Sequence, residues 1–173
     1  IQDDTSVAYS IFGSSTDSTL TGTDNNEYIS SDSGTDIVNA GGGDDFLVFD
    51  SADSLINGGT GYDTLLVSES GALDFGNVQN IEEINMSGGT VEDISHITVD
   101  DVFSMTDDDN TLIISGDSGS DAVHLFNENS KDWTQGTAEN IGGKVYDVYS
   151  YTDAAGTTTV KIQQDLNHDI QPS

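Results

Sequence analysis

Glycines and carboxylates recur together along the first third of this chain. Residues 58–63 read Gly-Gly-Thr-Gly-Tyr-Asp, and residues 40–45 read Ala-Gly-Gly-Gly-Asp-Asp. Glycine allows positive φ in a tight turn, so peptide carbonyls can converge on one point, and the aspartate at the sixth position adds a charged oxygen there. Calcium prefers six to eight such hard oxygen ligands, from carboxylates and carbonyls together. The residue types and their spacing therefore predict calcium binding.

The strands that would position these turns follow from a nine-residue period. One apolar residue recurs at every ninth position between residues 4 and 66, and the series comprises Ile11, Leu20, Ile29, Val38, Leu47, Ile56 and Leu65. The unit 58–66 matches G-G-x-G-x-D-x-U-x at every fixed position, and this nonapeptide is typical of calcium-binding parallel β-helix repeats. We therefore expect an all-β fold of stacked coils in which six-residue turns alternate with three-residue strands.

The other units are degenerate to different degrees. In the unit 22–30, Asn25 replaces the turn glycine and Glu27 replaces the aspartate, and both changes are mild because Asn tolerates positive φ and Glu keeps the carboxylate. The unit 31–39 keeps Gly34 and Asp36. The unit 49–57 has lost both key residues and carries Ser54 at the aspartate position, although Asp53 offers a carboxylate beside it.

Composition narrows the possible partners. The chain has 173 residues and a formal net charge of −29, from 32 acidic and three basic residues, so nucleic acid and anionic membrane surfaces are poor partners and cations are the natural ones. Cysteine is absent and the three histidines are scattered, which argues against disulfides and against zinc or copper sites. No apolar run suits a transmembrane helix, and the first residues lack the pattern of a signal peptide. We expect a soluble, monomeric module that is part of a larger protein.

The strict period stops after residue 67, and residues 68–173 are predicted to form a β-rich cap. Short strands are expected at 71–75, 81–86 and 111–115, one short helix begins after Thr98, and a hairpin joins 144–151 to 157–163. An isolated copy of the repeat at 116–124 makes Asp121 a further metal ligand candidate. Its segment Gly116-Asp117-Ser118-Gly119 also resembles a serine protease nucleophile context, but no partner histidine and aspartate are recognisable, so we predict no enzyme activity.

The nonapeptides resemble the RTX (repeats-in-toxin) family of secreted bacterial proteins, whose fold is a calcium-binding parallel β-roll. The resemblance implies that two nonapeptides form one coil and that each ion lies between turns eighteen residues apart, with ligands from both turns. On the better edge, this implies one ion held by Gly41, Gly43, Asp45, Gly58, Thr60 and Asp63, and another held by Thr23, Asn25, Glu27, Ala40, Gly42 and Asp45. On the opposite edge, Asp32, Gly34 and Asp36 would face Phe49, Ser51 and Ser54.

The rest of the chain is similar, more loosely, to the C-terminal region of very large RTX adhesins. The similarity lies in Asn80-Ile81-Glu82-Glu83-Ile84, Asp100-Asp101-Val102, Asn110-Thr111-Leu112 and Trp133. It implies a non-enzymatic module that leaves the cell through a type I secretion apparatus, folds in extracellular calcium, and belongs to a cell-surface protein that attaches bacteria to surfaces, as in biofilms. The cap would then overlap the type I secretion signal.

Other functions remain open at this point. The same roll could be an accessory domain of a secreted RTX protease or lipase, with the catalytic domain upstream. It could also be an ice- or glycan-binding roll, although ice binding would favour a flat ladder of identical threonines or asparagines, and the outward positions here are mixed. A disordered acidic linker is the remaining alternative, and the seven consecutive apolar matches argue against it.

Overall fold

The computed structural model describes residues 9–69, 75–88, 93–107, 109–117 and 121–172. Within them the chain is all-β with one short helix, as predicted. The strands are β1 (Tyr9–Phe12), β2 (Thr19–Thr21), β3 (Glu27–Ser30), β4 (Ile37–Gly42), β5 (Phe46–Val48), β6 (Leu55–Thr60), β7 (Thr64–Leu66), β8 (Val78–Gln79), β9 (Glu83–Met86), β10 (Asp93–Ile97), β11 (Thr111–Gly116), β12 (Ala122–Phe126), β13 (Thr134–Gln135), β14 (Glu139–Ile141), β15 (Lys144–Thr152), β16 (Thr157–Gln163) and β17 (Asn167–Gln171). The helix is α1 (Val99–Met105).

Successive nonapeptides contribute their strands to two different sheets. Strands β1, β3, β5 and β7 are neighbours in the first sheet, and β2, β4, β6 and β8 form the second. The pairing is parallel throughout, with Ile29 beside Leu47 and Leu47 beside Leu65 in the first sheet. Paired residues are therefore two nonapeptides apart, and the prediction that two nonapeptides make one coil is confirmed.

The apolar residue at the centre of each repeat strand lies between the two sheets. Ile29, Leu47, Ile56 and Leu65 are at most 1% exposed. Each such burial stabilises the fold by roughly 1.5–3 kcal/mol. Because a three-residue strand buries only one such side chain, a coil gains stability mainly from the coils stacked on it. Ile11, at the N-terminal end of the stack, is only partly buried.

The first sheet continues beyond the nonapeptides. Leu65 pairs with Ile84, Ile84 with Ile114, and Ile114 with Ile162, all in parallel, so each coil is longer than the one before. All four side chains are fully buried. The limit placed between residues 67 and 68 thus marks the end of the nonapeptide period, and its role as a domain boundary stays a prediction.

A third sheet and an antiparallel hairpin complete the C-terminal part. Strands β10, β12 and β17 pair in parallel, while β15 pairs antiparallel with β16 and also with β13 and β14. The predicted hairpin and the strands at 81–86 and 111–115 are confirmed, whereas most of the strand predicted at 71–75 lies outside the described residues. Trp133, Tyr146 and Tyr149 are buried, so these aromatic side chains pack inside the protein and do not form a surface for stacking on a sugar.

The predicted helix is present as α1, and its start is fixed by a capping box. The Thr98 hydroxyl accepts a hydrogen bond from the Asp101 amide, and the Asp101 carboxylate accepts one from the Thr98 amide. Val99, Val102 and Met105 are buried, so the helix packs one face on the core. In the part of the chain described above, no helix has the length and apolar character needed to cross a membrane.

Candidate metal centre

The turns between the two repeat sheets line up in two rows. The first edge comprises the turns 22–27, 40–45 and 58–63, which lead from the second sheet into the first. The second edge comprises the turns 13–18, 31–36 and 49–54, which lead back. Because paired strands are eighteen residues apart, equivalent turn positions on one edge are stacked directly on one another.

A row of buried carboxylates runs along the first edge. The Glu27 amide donates to Asp45 Oδ1 at 2.7 Å, the Asp45 amide to Asp63 Oδ1 at 2.9 Å, and the Asp63 amide to Glu82 Oε2 at 2.7 Å. Each carboxylate therefore points back towards the preceding turn. Glu27, Asp45 and Asp63 are at most 1% exposed, so the row places one acidic group in each turn away from water.

The second oxygen of several carboxylates has no hydrogen-bond donor. Oδ2 of Asp36, of Asp45 and of Asp63 is buried and has no partner. Leaving a buried polar atom unsatisfied costs about 1–3 kcal/mol, and more when it is charged. A cation that contacts these oxygens would remove this cost, so the residues present fit a bound metal ion.

Backbone carbonyls supply the other oxygens on the first edge. The Thr23 and Asn25 carbonyl oxygens each lie 2.3 Å from the point that a Cβ on Gly41 or Gly43, respectively, would occupy. The carbonyls of Gly41 and Gly43 approach Gly59 and Gly61 in the same way, at 2.1 and 2.0 Å. The second and fourth carbonyls of one turn therefore face the next turn, and glycine is required opposite them.

A carbonyl of the later turn faces back. The Ala40 carbonyl oxygen lies 2.0 Å from the Cβ position of Gly22, beside the Glu27 carboxylate. Two other predicted ligands already accept one hydrogen bond each, Thr23 from the Gly42 amide and Thr60 from the Gly43 amide. A carbonyl oxygen has two lone pairs, so each keeps one for a metal ion. The carbonyls of Thr23, Asn25 and Ala40 thus lie between the turns 22–27 and 40–45, and the role of the predicted residues as ligands stays a prediction.

This donor set decides which metal would suit the edge. Within the described ranges, no three His, Asp or Glu side chains lie together as a metal site built from side chains would need. An ion here would take most of its ligands from carbonyls and only one or two from carboxylates. Calcium accepts such mixed oxygen sets at 2.3–2.6 Å with flexible geometry, whereas zinc and copper favour nitrogen and sulfur.

The second edge differs from the sequence-based expectation at one position. Asp36 Oδ1 accepts hydrogen bonds from the Ser18 amide and hydroxyl, both at 2.6 Å. In the next turn it is Asp53, and not Ser54, that receives the Asp36 amide, at 3.1 Å, while Asp53 Oδ2 accepts from Ser31 at 2.9 Å. Ser54 itself has no carboxylate to offer a metal ion. A one-residue shift in the turn puts the Asp53 carboxylate at the equivalent place.

The remaining predicted ligands lie in the same turns. Asp32 and Gly34 have φ values of 71° and 138°, which gives the turn 31–36 the left-handed backbone that the repeat requires. Phe49 packs its side chain into the core, and its backbone carbonyl is the group that the resemblance assigns as a ligand. Ser51 donates to Glu69 from both its amide and its hydroxyl.

Two acidic groups near the turns were not predicted as ligands, and one candidate is only partly described. Glu69, eighteen residues after Ser51, continues the repeat register that could have revealed it, whereas Glu82 has no periodic signal. Asp107 belongs to an acidic run, 107–109, for which the sequence favours a solvated cap over a cation site. Asp121 is fully buried and accepts a hydrogen bond from the Asp117 amide at 2.7 Å, but residues 118–120 of its turn lie outside the described part of the chain.

Burial changes the acidity of the first edge. Loss of water contact, together with the charges of neighbouring carboxylates, raises the pKa of Asp45 to about 6 and that of Asp63 to about 7, although a backbone amide that donates to each carboxylate opposes the rise. A proton and a cation therefore compete for these groups near neutral pH. In the absence of the ion, the folded chain holds protons that the unfolded chain has released, so the stability of the ion-free fold decreases as the pH rises through this window.

Calcium affinity is accordingly expected to fall as the pH is lowered. Since up to two protons must leave before the ion enters, the apparent dissociation constant should rise on the order of 100-fold between about pH 7.5 and about pH 5.5. Isothermal titration calorimetry at constant ionic strength in several buffers would measure both the affinity and the protons released. An affinity that stays constant across this range, with no proton release, would contradict the expectation.

Comparison with known proteins gives little further information. No protein-family model matches the chain, and no curated protein matches it. Among solved structures, the solution structure of the AlgE6R3 subunit from the Azotobacter vinelandii mannuronan C5-epimerase is 18% identical, with 90% of this chain and 77% of that chain covered and a TM-score of 0.26. A TM-score this low carries no argument about the function of this chain.

Proposed function

We propose that this chain is a calcium-binding β-roll module whose nonapeptide coils become ordered when calcium occupies their turns. The observation that carries the proposal is the row of buried carboxylates on the first edge. One oxygen of Asp45 and one of Asp63 has no donor, although each lies among stacked turns with converging carbonyls. Buried polar atoms in native proteins nearly always have a partner, and calcium is the partner that this oxygen set suits.

Two ions are proposed on the first edge. One would lie between the turns 22–27 and 40–45, and the other between the turns 40–45 and 58–63. Asp45 would contribute to both, because its turn is the later one for the first ion and the earlier one for the second. The second edge would hold an ion between the turns 31–36 and 49–54, with Asp36 and Asp53 as the carboxylates.

Calcium would act on folding through charge. The chain carries a net charge of −29, and stacking the turns brings its carboxylates together, so the coils repel one another until cations lie between them. An ion that binds only the folded state stabilises it by RT ln(1 + [Ca]/Kd), about 2.7 kcal/mol per site at 100 times Kd. Coupled sites in neighbouring coils would add cooperatively.

We place this module in a secreted bacterial RTX adhesin exported by a type I apparatus. The support is the resemblance of the nonapeptides and of the flanking segments described above, together with the lack of cysteine and the calcium-dependent folding proposed here. A chain that stays unfolded in the low calcium of the cytosol would pass a secretion channel and fold outside.

Calcium titration of the wild-type chain and two variants tests the proposal. Asp45→Asn keeps the acceptor for the Glu27 amide but removes the charge, so we expect the calcium midpoint to rise by at least about tenfold. Ser54→Ala serves as the control, because Ser54 is exposed and Asp53 occupies the carboxylate position, and its midpoint should stay within about twofold of the wild type. Calorimetry that detects no calcium binding to the wild type, or equal midpoints for both variants, would refute the assignment.

A further inference from the structure

The last complete turn of the first edge, 58–63, is not followed by another nonapeptide. Residues 80–82, here called the end turn, follow instead, and this segment has three residues where a nonapeptide turn has six. Strand register aligns it with the complete turns: Asn57 pairs with Gln79, and Thr64 pairs with Glu83. Asn80 therefore occupies the first turn position, and Glu82 occupies the sixth, where the carboxylate belongs.

The unpaired oxygen of Asp63 faces the end turn. Oδ1 of Asp63 points back to the Asp45 amide, whereas Oδ2 lies 2.5 Å from the position of a Cβ on Gly58. The Asn80 carbonyl oxygen lies 2.1 Å from that same position. Asp63 is 1% exposed, and Oδ2 has no hydrogen-bond partner. A buried, unpartnered carboxylate oxygen is thus directed at a carbonyl, an arrangement that a cation between the two oxygens would stabilise.

Hydrogen bonds and a positive φ fix the conformation of the end turn. The side chain of Asn80 donates to Asn57 at 2.8 Å, and Asn80 adopts a φ of 52°, which fixes its carbonyl towards Gly58. Glu82 accepts the Asp63 amide at 2.7 Å, as Asp63 accepts that of Asp45. The row of carboxylates therefore continues one step beyond the nonapeptides.

The C-terminal end of α1 lies beside the end turn. The Ile81 amide donates to the Met105 carbonyl at 3.0 Å, which brings the end of the helix against the end turn. An open cavity of about 780 Å³ lies over Gly59 and Gly61, with Asp107 on its wall. Burial raises the pKa of Glu82, the Asp63 amide that donates to it opposes the rise, and the negative charges of Asp107 and Asp109 raise it as well, so both aspartates act electrostatically on the end turn.

We propose that a further calcium ion binds between the turn 58–63 and the end turn, and that the charge of Asp107, on the wall of the adjoining cavity, favours its binding. The ligands are the carbonyls of Gly59, Gly61 and Asn80 and the carboxylates of Asp63 and Glu82. This site rests on the proposed function, since it shares Asp63 with the neighbouring ion. It extends calcium binding to a coil that has no nonapeptide, and it links the repeats to the C-terminal part.

Glu82→Gln in the full chain is the decisive variant, because the amide oxygen still accepts from the Asp63 amide but carries no charge for the ion. Equilibrium dialysis with calcium, at the concentration that just saturates the wild type, should give one bound ion fewer for Glu82→Gln. Asp107→Asn is the second variant: Asp107 is exposed, so the amide should not disturb the fold, and the affinity for the last ion should fall about two- to fivefold. Asp132→Asn removes another exposed carboxylate as the matched control and should bind as the wild type does.

The outcomes separate this site from the general proposal. If the wild type binds no calcium, the proposed function and the end site fail together. If Asp45→Asn weakens binding while Glu82→Gln leaves the number of ions and every affinity unchanged, only the end site is refuted. If Asp107→Asn leaves every affinity unchanged, the contribution of the Asp107 charge is refuted. If Glu82→Gln does not fold, Asp107→Asn alone decides.

Discussion

Removal of calcium with a chelator is expected to unfold the nonapeptide coils. Each proposed ion contributes about 2.7 kcal/mol at 100 times its Kd, so two or three ions together supply much of the 5–15 kcal/mol that a domain of this kind has in total. Without them, Asp36, Asp45 and Asp63 each keep a buried oxygen without a partner. The calcium-free coils would also face the repulsion of neighbouring carboxylates.

Circular dichroism and hydrogen exchange measure this effect. The β-signal should be largely lost in chelator and return cooperatively in millimolar calcium, with amide protection of residues 9–69 following the same curve. Magnesium at equal concentration should restore little, because it requires near-ideal octahedral geometry and keeps its waters. An equal β-signal and equal protection in chelator and in calcium would contradict the prediction.

Substitution of Gly59 by alanine is expected to disrupt the first edge. Gly59 has a φ of 107°, and its new Cβ would lie 2.1 Å from the Gly41 carbonyl oxygen, a proposed calcium ligand. The neighbouring turn must move to avoid this contact, because the atom that the Cβ meets belongs to the backbone. We expect Gly59→Ala to cost at least about 3 kcal/mol in the calcium-bound state, in the upper range for single substitutions.

Gly143→Ala separates the clash from the cost of the backbone conformation. Gly143 also has a positive φ, of 89°, but a Cβ there meets nothing within 4 Å. This variant should lose only the conformational term of about 1–2 kcal/mol and keep the calcium midpoint of the wild type. Denaturant unfolding in saturating calcium, with calorimetry for the midpoint, compares the two. Equal losses would show that the carbonyl row does not require close stacking.

Local signals account for what the sequence predicts correctly. The apolar residue at every ninth position indicates stacked short strands because only a periodic coil places such residues on one interior line, and Ile29, Leu47 and Leu65 do lie there. The Thr98 cap predicts the helix start because capping depends on residues within one turn. Glycine and aspartate at fixed turn positions likewise indicate calcium, since the relevant donors belong to the turn itself.

Pairings between distant segments account for what the sequence alone did not decide. The sequence offers Asp53 as a carboxylate beside Ser54, but its place in the turn depends on a shift of the turn against the Asp36 amide of another coil. Glu82 and Asp107 reach the first edge only because the longer coils pair Leu65 with Ile84 and bring Met105 to Ile81. Because these coils differ in length, the sequence shows no repeat period from which they could be predicted. The sequence by itself determined the repeat, its interior line and its oxygen-rich turns, whereas the tertiary structure decided which carboxylates complete them, because that choice depends on stacking across coils.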